Sequence, residues 1–546
     1  MRTKRVVAAL LLCAVIVPGC SQSKRPPLFR GMGPHHRTVA TSSRMAQRYF
    51  DQGLTWAYAF NHDEAIRSFK EAARRDPGLA IAWWGVALCN GPHINNPVVT
   101  PERARAAWKA VEKARRLSIN AAPVEQALIE ALSARYTLPQ PEDRHALDQA
   151  YADAMAKVHE QYPLDPDVGT LYAEALMDLR PWDLWTQAGE PQPGTETILA
   201  VLEDALRLDP ENPGANHLYI HAVEASPHPE RANEEADRLR DLVPASGHLV
   251  HMPSHIDVLT GRWRQAEEQN LKAIEADARY RQRSPEQGFY RVYMLHNHHM
   301  LCFAAMMEGR EEQALAAARD VVRGVPADYL RDDAAFVDSY MGAVYDVEKR
   351  FGDWDAILAE PAPPAKLPIT MAMWRFSRGL AYAARGEVAA AEQEQAAFLR
   401  AADDVPADAL MAINPAHEIL RLAGRMLTAE IALGRGEIDA CVAELRAAVA
   451  IEDSLRYMEP PEWMQPVRHT LGAVLLDAHR FAEAEQVYRE DLDAWPNNGW
   501  SLYGLSRSLE GQGKNAEAKE YAAQFRKAWS RADAPIRSSC ACVPQT

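Results

Sequence analysis

AQRYFDQGLTWAYAFNHDEAIRSFKEAARRDP, residues 46–77, reads as two helices joined by a turn. Small residues fall where two crossing helices need them. Gly53 and Ala65 sit at the close approach, Phe69 and Ala72 fill the hairpin, and Pro77 ends the second helix. The unit recurs along the chain. One hairpin runs from Pro213 with Ala232, Ala236 and Pro244, the next from Gly247 with Gly261, Trp263, Ala266, Asn270 and Ala273. Another starts near Leu295 with Gly309, Ala314 and Pro326. Later units carry Gly379, Tyr382, Gly386 and Ala391, then Gly436, Cys441 and Ala448, then Gly472, Leu475, Phe481, Ala484, Tyr488 and Pro496. The last, from Gly499 through Gly513 and Ala518 to Phe525, caps the stack. No stretch alternates with a strand period, so the fold class is all-α.

Gly53, Trp56, Ala65, Phe69, Ala72 and Pro77 stand at the spacing of the tetratricopeptide repeat. His217 and His221 recur 34 residues later as His251 and His255, which is the length of that repeat. The chain therefore resembles the tetratricopeptide-repeat family. The resemblance implies a solenoid of helical hairpins, wound as a right-handed superhelix, whose first helices line a concave surface. The phrases YFDQGLTWAYAFNHDEAIRSF, AWWGVALCNGPHINNP, NHLYIHAVEAS, HMPSHI and NNGWSLYGLSRSLEGQG are similar to those of a bacterial group of exported tetratricopeptide-repeat proteins. That resemblance carries over a fold and no assigned activity. Segments 91–102, 179–196, 279–290 and 359–368 are rich in Pro, Gly or aromatics, and such inserts usually fold over one face, often the binding face.

At 546 residues, with 47% apolar and 25% charged residues, the composition is that of an ordered soluble chain. A net charge of −15 argues against a general nucleic-acid binder and against broad adsorption to anionic lipid. Arg2, Lys4 and Arg5 precede an apolar run, Val6 to Val17, that is too short to span a bilayer. It ends in Val17-Pro18-Gly19-Cys20, which resembles a bacterial lipobox. On that resemblance residues 1–19 are a signal peptide, Cys20 is lipidated, and the lipid is the sole membrane anchor. Ser21 in place of Asp directs the protein to the periplasmic face of the outer membrane.

The expected organisation is a tether over 20–44, an array over 45–358, a Pro-rich linker over 359–368, a second array over 369–530 and a flexible tail over 531–546. The tether carries His35 and His36, which are exposed unless they reach back into a site. Cys89, Cys302 and Cys441 read as core residues, and the tail pair Cys540 and Cys542 as a frayed segment, a weak metal clip or a redox pair. No disulfide framework is indicated.

Three stretches hold the candidate chemistry: HLYIHAVE (217–224), HLVHMPSH (248–255) and HNHH (296–299). Counted from the first residue of each repeat, His248 and His296 are second, His217, His251 and His299 fifth, His221 and His255 ninth, and Glu224 twelfth. At 3.6 residues per turn these places lie within about 80° on one helix face. Seven histidines and one carboxylate then face one groove from three neighbouring helices. Imidazoles with few carboxylates favour Cu, Zn or Fe over Ca or Mg. The motif H-E-x-x-H is absent, so a zincin-type protease is not indicated. Met252, Met294 and Met300 would suit copper if they faced inward, and otherwise belong to the core. His62 and His93 read as hairpin residues. Tyr457, Glu459, Trp463, Arg468 and His469 mark a second candidate patch.

Two functions follow from this reading. In the first, the solenoid houses a His-rich metal centre. If that centre keeps an open position it activates water or dioxygen, with Glu224 as ligand or base and Tyr219 or Tyr293 behind it; if closed, it serves storage or delivery. In the second, the concave groove holds a peptide or protein partner without catalysis. No phosphate loop, nucleophile elbow or Cys–His arrangement is present.

Overall fold

The computed structural model describes residues 25–284 and 287–542. Cys20 and the leader before it lie outside the described residues. Helical hairpins follow one another along the chain, and the sole strand pairing among the described residues is a short ladder, Leu410–Met411 with Asn414–Pro415. This is an all-α, tetratricopeptide-like repeat fold.

The packing rule of the first repeat is visible at atomic scale. Helix Arg44–Tyr58 is capped by the Ser43 side chain and helix His62–Arg75 by Asn61. A methyl group on Gly53 would lie 2.7 Å from the Phe69 ring, and one on Gly85 of the next helix 2.6 Å from the same ring. One phenyl ring therefore fills the space among three helices. Tyr488 takes that place near the far end, packed on Gly472 and Gly504.

The second repeat of the histidine region departs from a single first helix. Pro253 opens a new helix, so Gly247–His251 and Pro253–Leu259 meet at Met252. His251 and His255 stand on either side of that joint.

Packing shows how three of the expected segments sit. Residues 25–43 form a strap rather than a free tether: Phe29 meets Trp56 edge-on at 5.4 Å, and Gly31 O accepts from Ala245 N at 3.0 Å. Arg37 donates to Asp165 at 2.7 and 2.9 Å and to Asp167 at 3.1 Å. Gly33 lies so close to the Leu242 carbonyl, at φ +77°, that no side chain would fit.

The 359–368 segment does not divide the core, because Met464 and Trp500 share one hydrophobic cluster with Val258, Phe303 and Val347. Trp500 Nε1 donates to Met306 O and Trp263 Nε1 to Pro496 O. The C-terminal segment is also docked, since Ser539, Cys540 and Cys542 are buried. Ser539 Oγ donates to His469 O at 2.8 Å, and Cys540 and Cys542 are joined as a disulfide.

These long-range contacts bring residues from distant repeats together. Arg456 donates to Trp182 O at 3.0 Å, and Gln187 donates to Ser454 O. The loop before helix Val467–Asp477 thereby covers the histidine face of the earlier repeats.

Candidate metal centre

Helix Pro213–Val223 presents His217 and His221, the broken helix presents His248, His251 and His255, and helix Arg291–Met307 presents His296. The face they share is covered: His217, His248, His251 and His255 are 0–2% exposed. The residues fall into two trihistidine sets, His217/His221/His248 and His251/His255/His296, whose donor atoms lie within 4.8 Å of one another in each set. Glu224 with His221 and His255 makes a third such group, which joins the two.

Hydrogen bonds decide which ring nitrogens are bare. His217 Nδ1 lies 2.7 Å from Tyr58 O, and a carbonyl only accepts, so Nδ1 carries the proton and Nε2 is bare. Asn270 donates through Nδ2 to Ala266 O, which turns its Oδ1 toward His251 Nδ1 at 2.7 Å. His251 Nε2 is therefore bare as well. His255 Nδ1 lies 2.7 Å from Glu224 Oε2 and 2.5 Å from Glu459 Oε2. His221 Nδ1 lies 2.8 Å from Glu224 Oε1, and its buried Nε2 has no protein partner.

Each of these two bare nitrogens faces the Nε2 of a second imidazole. His217 Nε2 is 3.1 Å from His248 Nε2, and His251 Nε2 is 2.8 Å from His255 Nε2. A proton on His248 Nε2, whose Nδ1 has no partner, or a cation between the rings satisfies the first pair. Metal–nitrogen bonds of about 2.0–2.1 Å at a tetrahedral angle place two ligand nitrogens roughly 3.3 Å apart. The first separation is close to that value, and the second is the length of a hydrogen bond. In the metal-free chain a proton on His255 Nε2 serves the second pair.

Electrostatics agree with this division. Burial and neighbouring imidazoles push His217, His248, His251 and His296 well below the usual histidine range, which leaves neutral ligand forms at neutral pH. His255 is the exception. Burial opposes its charge, but Glu459 and Glu224 raise it to about 10. Burial pushes Glu459 up to about 7, whereas His221 and His255 overcome burial to lower Glu224. Glu224, expected as ligand or base, has both oxygens on imidazole Nδ1 atoms and orients one ring of each set.

Other expected residues are placed elsewhere. His299 belongs to neither set; its ring lies 5.5 Å from Tyr340. Met252, Met294 and Met300 pack in the core. Tyr219 donates to Glu203 away from the histidines, while the Tyr293 ring lies 4.3 Å from His248. The second patch does not assemble: Arg468 pairs with Asp453, His469 with Asp491, and Trp463 packs under Lys349. Glu459 instead joins the histidine centre, and Tyr457 lines the cleft beside His221. Of the strap pair, His35 is buried 3.2 Å from Asp167, and His36 pairs with Asp51 on the outside.

Spacing alone did not point to Phe60, Asn270 or the Tyr58 carbonyl. Phe60, at φ +53°, lies 4.5 Å from the rings of both His93 and His217, and His93 in turn contacts His62 at 4.5 Å. Trp182, at φ +58°, meets His221 edge-on at 5.5 Å. Two aromatic residues in the left-handed region thus flank the centre, where strained backbone is characteristic of functional sites. A positive φ at either position has no sequence signal. A cleft of about 810 Å³ between Trp182, Trp185, Arg456 and Tyr457 reaches His221 and Glu224.

Fold and site together define a helical-repeat protein with a buried polyhistidine centre reached by an aromatic-walled cleft. No family model and no curated protein matches the chain. Among solved structures it is similar to a human IFIT1 dimer with m7Gppp-AAAA, at 15% identity over 90% of this chain and 91% of that one, with a TM-score of 0.32. It is also similar to the APC/C hetero-tetramer Cut9–Hcn1, at 11% identity over 89% and 74%, with a TM-score of 0.28.

Proposed function

We propose that this protein is an exported, lipid-anchored metalloprotein whose helical repeats hold two first-row transition ions, of Cu, Zn or Fe type, in adjoining trihistidine sets. The observation that carries the reading is the convergence of imidazole nitrogens in two adjoining sets, with the bare Nε2 of His217 on His248 and that of His251 on His255. The donor set suits such ions because it is built from imidazoles with no thiolate. Bound there, the ions would supply Lewis acidity or, if redox-active, electrons.

The chain's own residues orient the site and limit access to it. Tyr58 O and Asn270 fix one ring in each set, Glu224 aligns His221 and His255, and the Phe60 ring packs against His217. The cleft brings a small molecule to the edge of the centre at His221 and Glu224, which favours a reactive centre over a storage site. Burial of the histidines weighs against the alternative of a peptide-binding groove on that face. Lipidation at Cys20 rests on the sequence alone, and the mass of the mature N-terminal peptide tests it.

Elemental analysis of the mature chain, purified without chelator, is the decisive measurement for the centre. Two ions per chain are expected, with both lost in a His217→Ala/His251→Ala variant, which removes one ligand from each set. Absence of metal in the wild-type chain, even after reconstitution with Cu, Zn and Fe, would end this reading.

A further inference from the structure

A different group of metal donors lies at the far end of the molecule and shares no residue with the histidine centre. Glu430, on helix Ala416–Gly434, is 5% exposed in total, and no described residue gives it a hydrogen bond or an ion pair. Its carboxyl and the sulfurs of Cys540 and Cys542 lie within 4.8 Å of one another. The cavity beside them is about 20 Å³, room for one water-sized particle. Gln465 Oε1 is also buried there without a partner.

Three donors converge on the Cys540 sulfur: Cys542 N–H at 3.2 Å, Thr470 Oγ1 at 3.5 Å and Gln465 Nε2 at 3.9 Å. Lys349 lines the same cavity. Such surroundings favour a thiolate over a thiol, and thiolate is the form that binds metal. A buried carboxyl with no partner, set against two sulfurs, is costly unless a cation completes it.

We propose that Cys540, Cys542 and Glu430 form a second, thiolate-rich site for a soft ion such as Zn(II) or Cu(I), and that this ion latches the C-terminal strap to the end of the solenoid. Two sulfurs and one carboxylate oxygen are the donors. In the structure the two cysteines are joined as a disulfide, which is reduced before the ion binds. Two molecules of a small thiol, R–SH, break the Cys540–Cys542 bond; the cysteines leave as two thiols and R–S–S–R forms. Metal binding then displaces the two thiol protons, and any carboxyl proton, to solvent. The intervening strap reaches beyond this site, because Ser539 bonds Tyr488 and His469 while Arg350 donates to Ser539 O.

The test uses the full mature chain, reduced with a phosphine, desalted without oxygen and titrated with Co(II). Intense near-ultraviolet sulfur-to-cobalt absorption, which imidazole sites do not produce, is expected to saturate at one sulfur-bound ion per chain beyond those the histidine centre takes up, and excess Zn(II) is expected to abolish it. The band should be absent from Cys540→Ser/Cys542→Ser and from the reoxidised wild-type chain. It should persist in His217→Ala/His251→Ala, which separates this site from the histidine centre. Glu430→Gln is expected to keep the band and to weaken binding at least about tenfold. A reduced wild-type chain without the band would overturn the proposal. So would a band that survives reoxidation, a comparison that needs no variant to fold. Binding in Glu430→Gln as tight as in wild type would overturn the three-donor assignment.

Discussion

The Asn270 side-chain oxygen holds His251 Nδ1 at 2.7 Å, and the Asn270 amide nitrogen is itself fixed on Ala266 O. Asn270→Leu keeps the volume and removes the acceptor, so the His251 ring loses its fixed tautomer. Metal affinity is expected to fall about 10–100-fold, measured by competition with a chelator, while the metal-free chain stays folded. Unchanged affinity would mean that ring orientation at His251 does not matter to the site. Gly53 offers a test of packing in the first repeat. A Cβ there would sit 2.7 Å from the Phe69 ring, so Gly53→Ala is expected to lower stability in urea unfolding by about 1–3 kcal/mol, even though alanine is the better helix former.

At the scale of elements, the strap over residues 25–43 hangs on a buried charge network. Burial opposes charge on His35, but Asp167 and Asp209 raise its pKa above the ordinary 6.5. Its contribution to stability is therefore fully present below pH 6.5 and is lost as pH rises through the raised value. Asp167 has the opposite sign. Burial works against its charge, yet His35, Arg37 and Tyr58 hold it below the ordinary 3.8, so its contribution is present above that value and is lost as pH falls through the lowered one. The strap is expected to hold best between about pH 4 and 6.5. His35→Gln should lower stability in that window by about 1.5–3 kcal/mol and flatten the decline on the alkaline side. A wild-type profile that matches the variant's from pH 5 to 8 would exclude this role for His35.

At the scale of the molecule, the late repeats are built into the middle of the chain. Trp500 and Met464 share a core with Val258, Phe303 and Val347, and Arg531 pairs with both Glu267 and Glu308. Lys366 is exposed within the Pro-rich segment, which offers trypsin a site there. Chain nicked at Lys366 is expected to elute from gel filtration at the size of the intact protein. Two separable fragments would restore the division into independent arrays that composition suggested. Glu459 reaches His255 by the same closure, so the metal centre depends on residues on both sides of that cut.

Repeat architecture was legible in the chain because helix-on-helix packing is local. Gly53, Ala65 and Phe69 meet within one hairpin, and any sequence that builds the hairpin displays their spacing. The histidines were legible for the same reason: a 34-residue period returns a side chain to the equivalent place on the next helix, so periodicity alone sets His217, His221, His251 and His255 on a shared face. Their division into two sets was not legible, because it depends on how side chains from neighbouring helices interleave. Nor was Glu459, which approaches His255 from 204 residues away through closure of the solenoid and carries no periodic signal. The C-terminal cysteines read as a frayed end, and only their burial against Glu430 and Thr470 distinguishes them from one. Sequence by itself determined the repeats and which residues point the same way along them; tertiary structure alone decided which of those residues meet, because that depends on how neighbouring helices interleave and on closure between segments as far apart as His255 and Glu459.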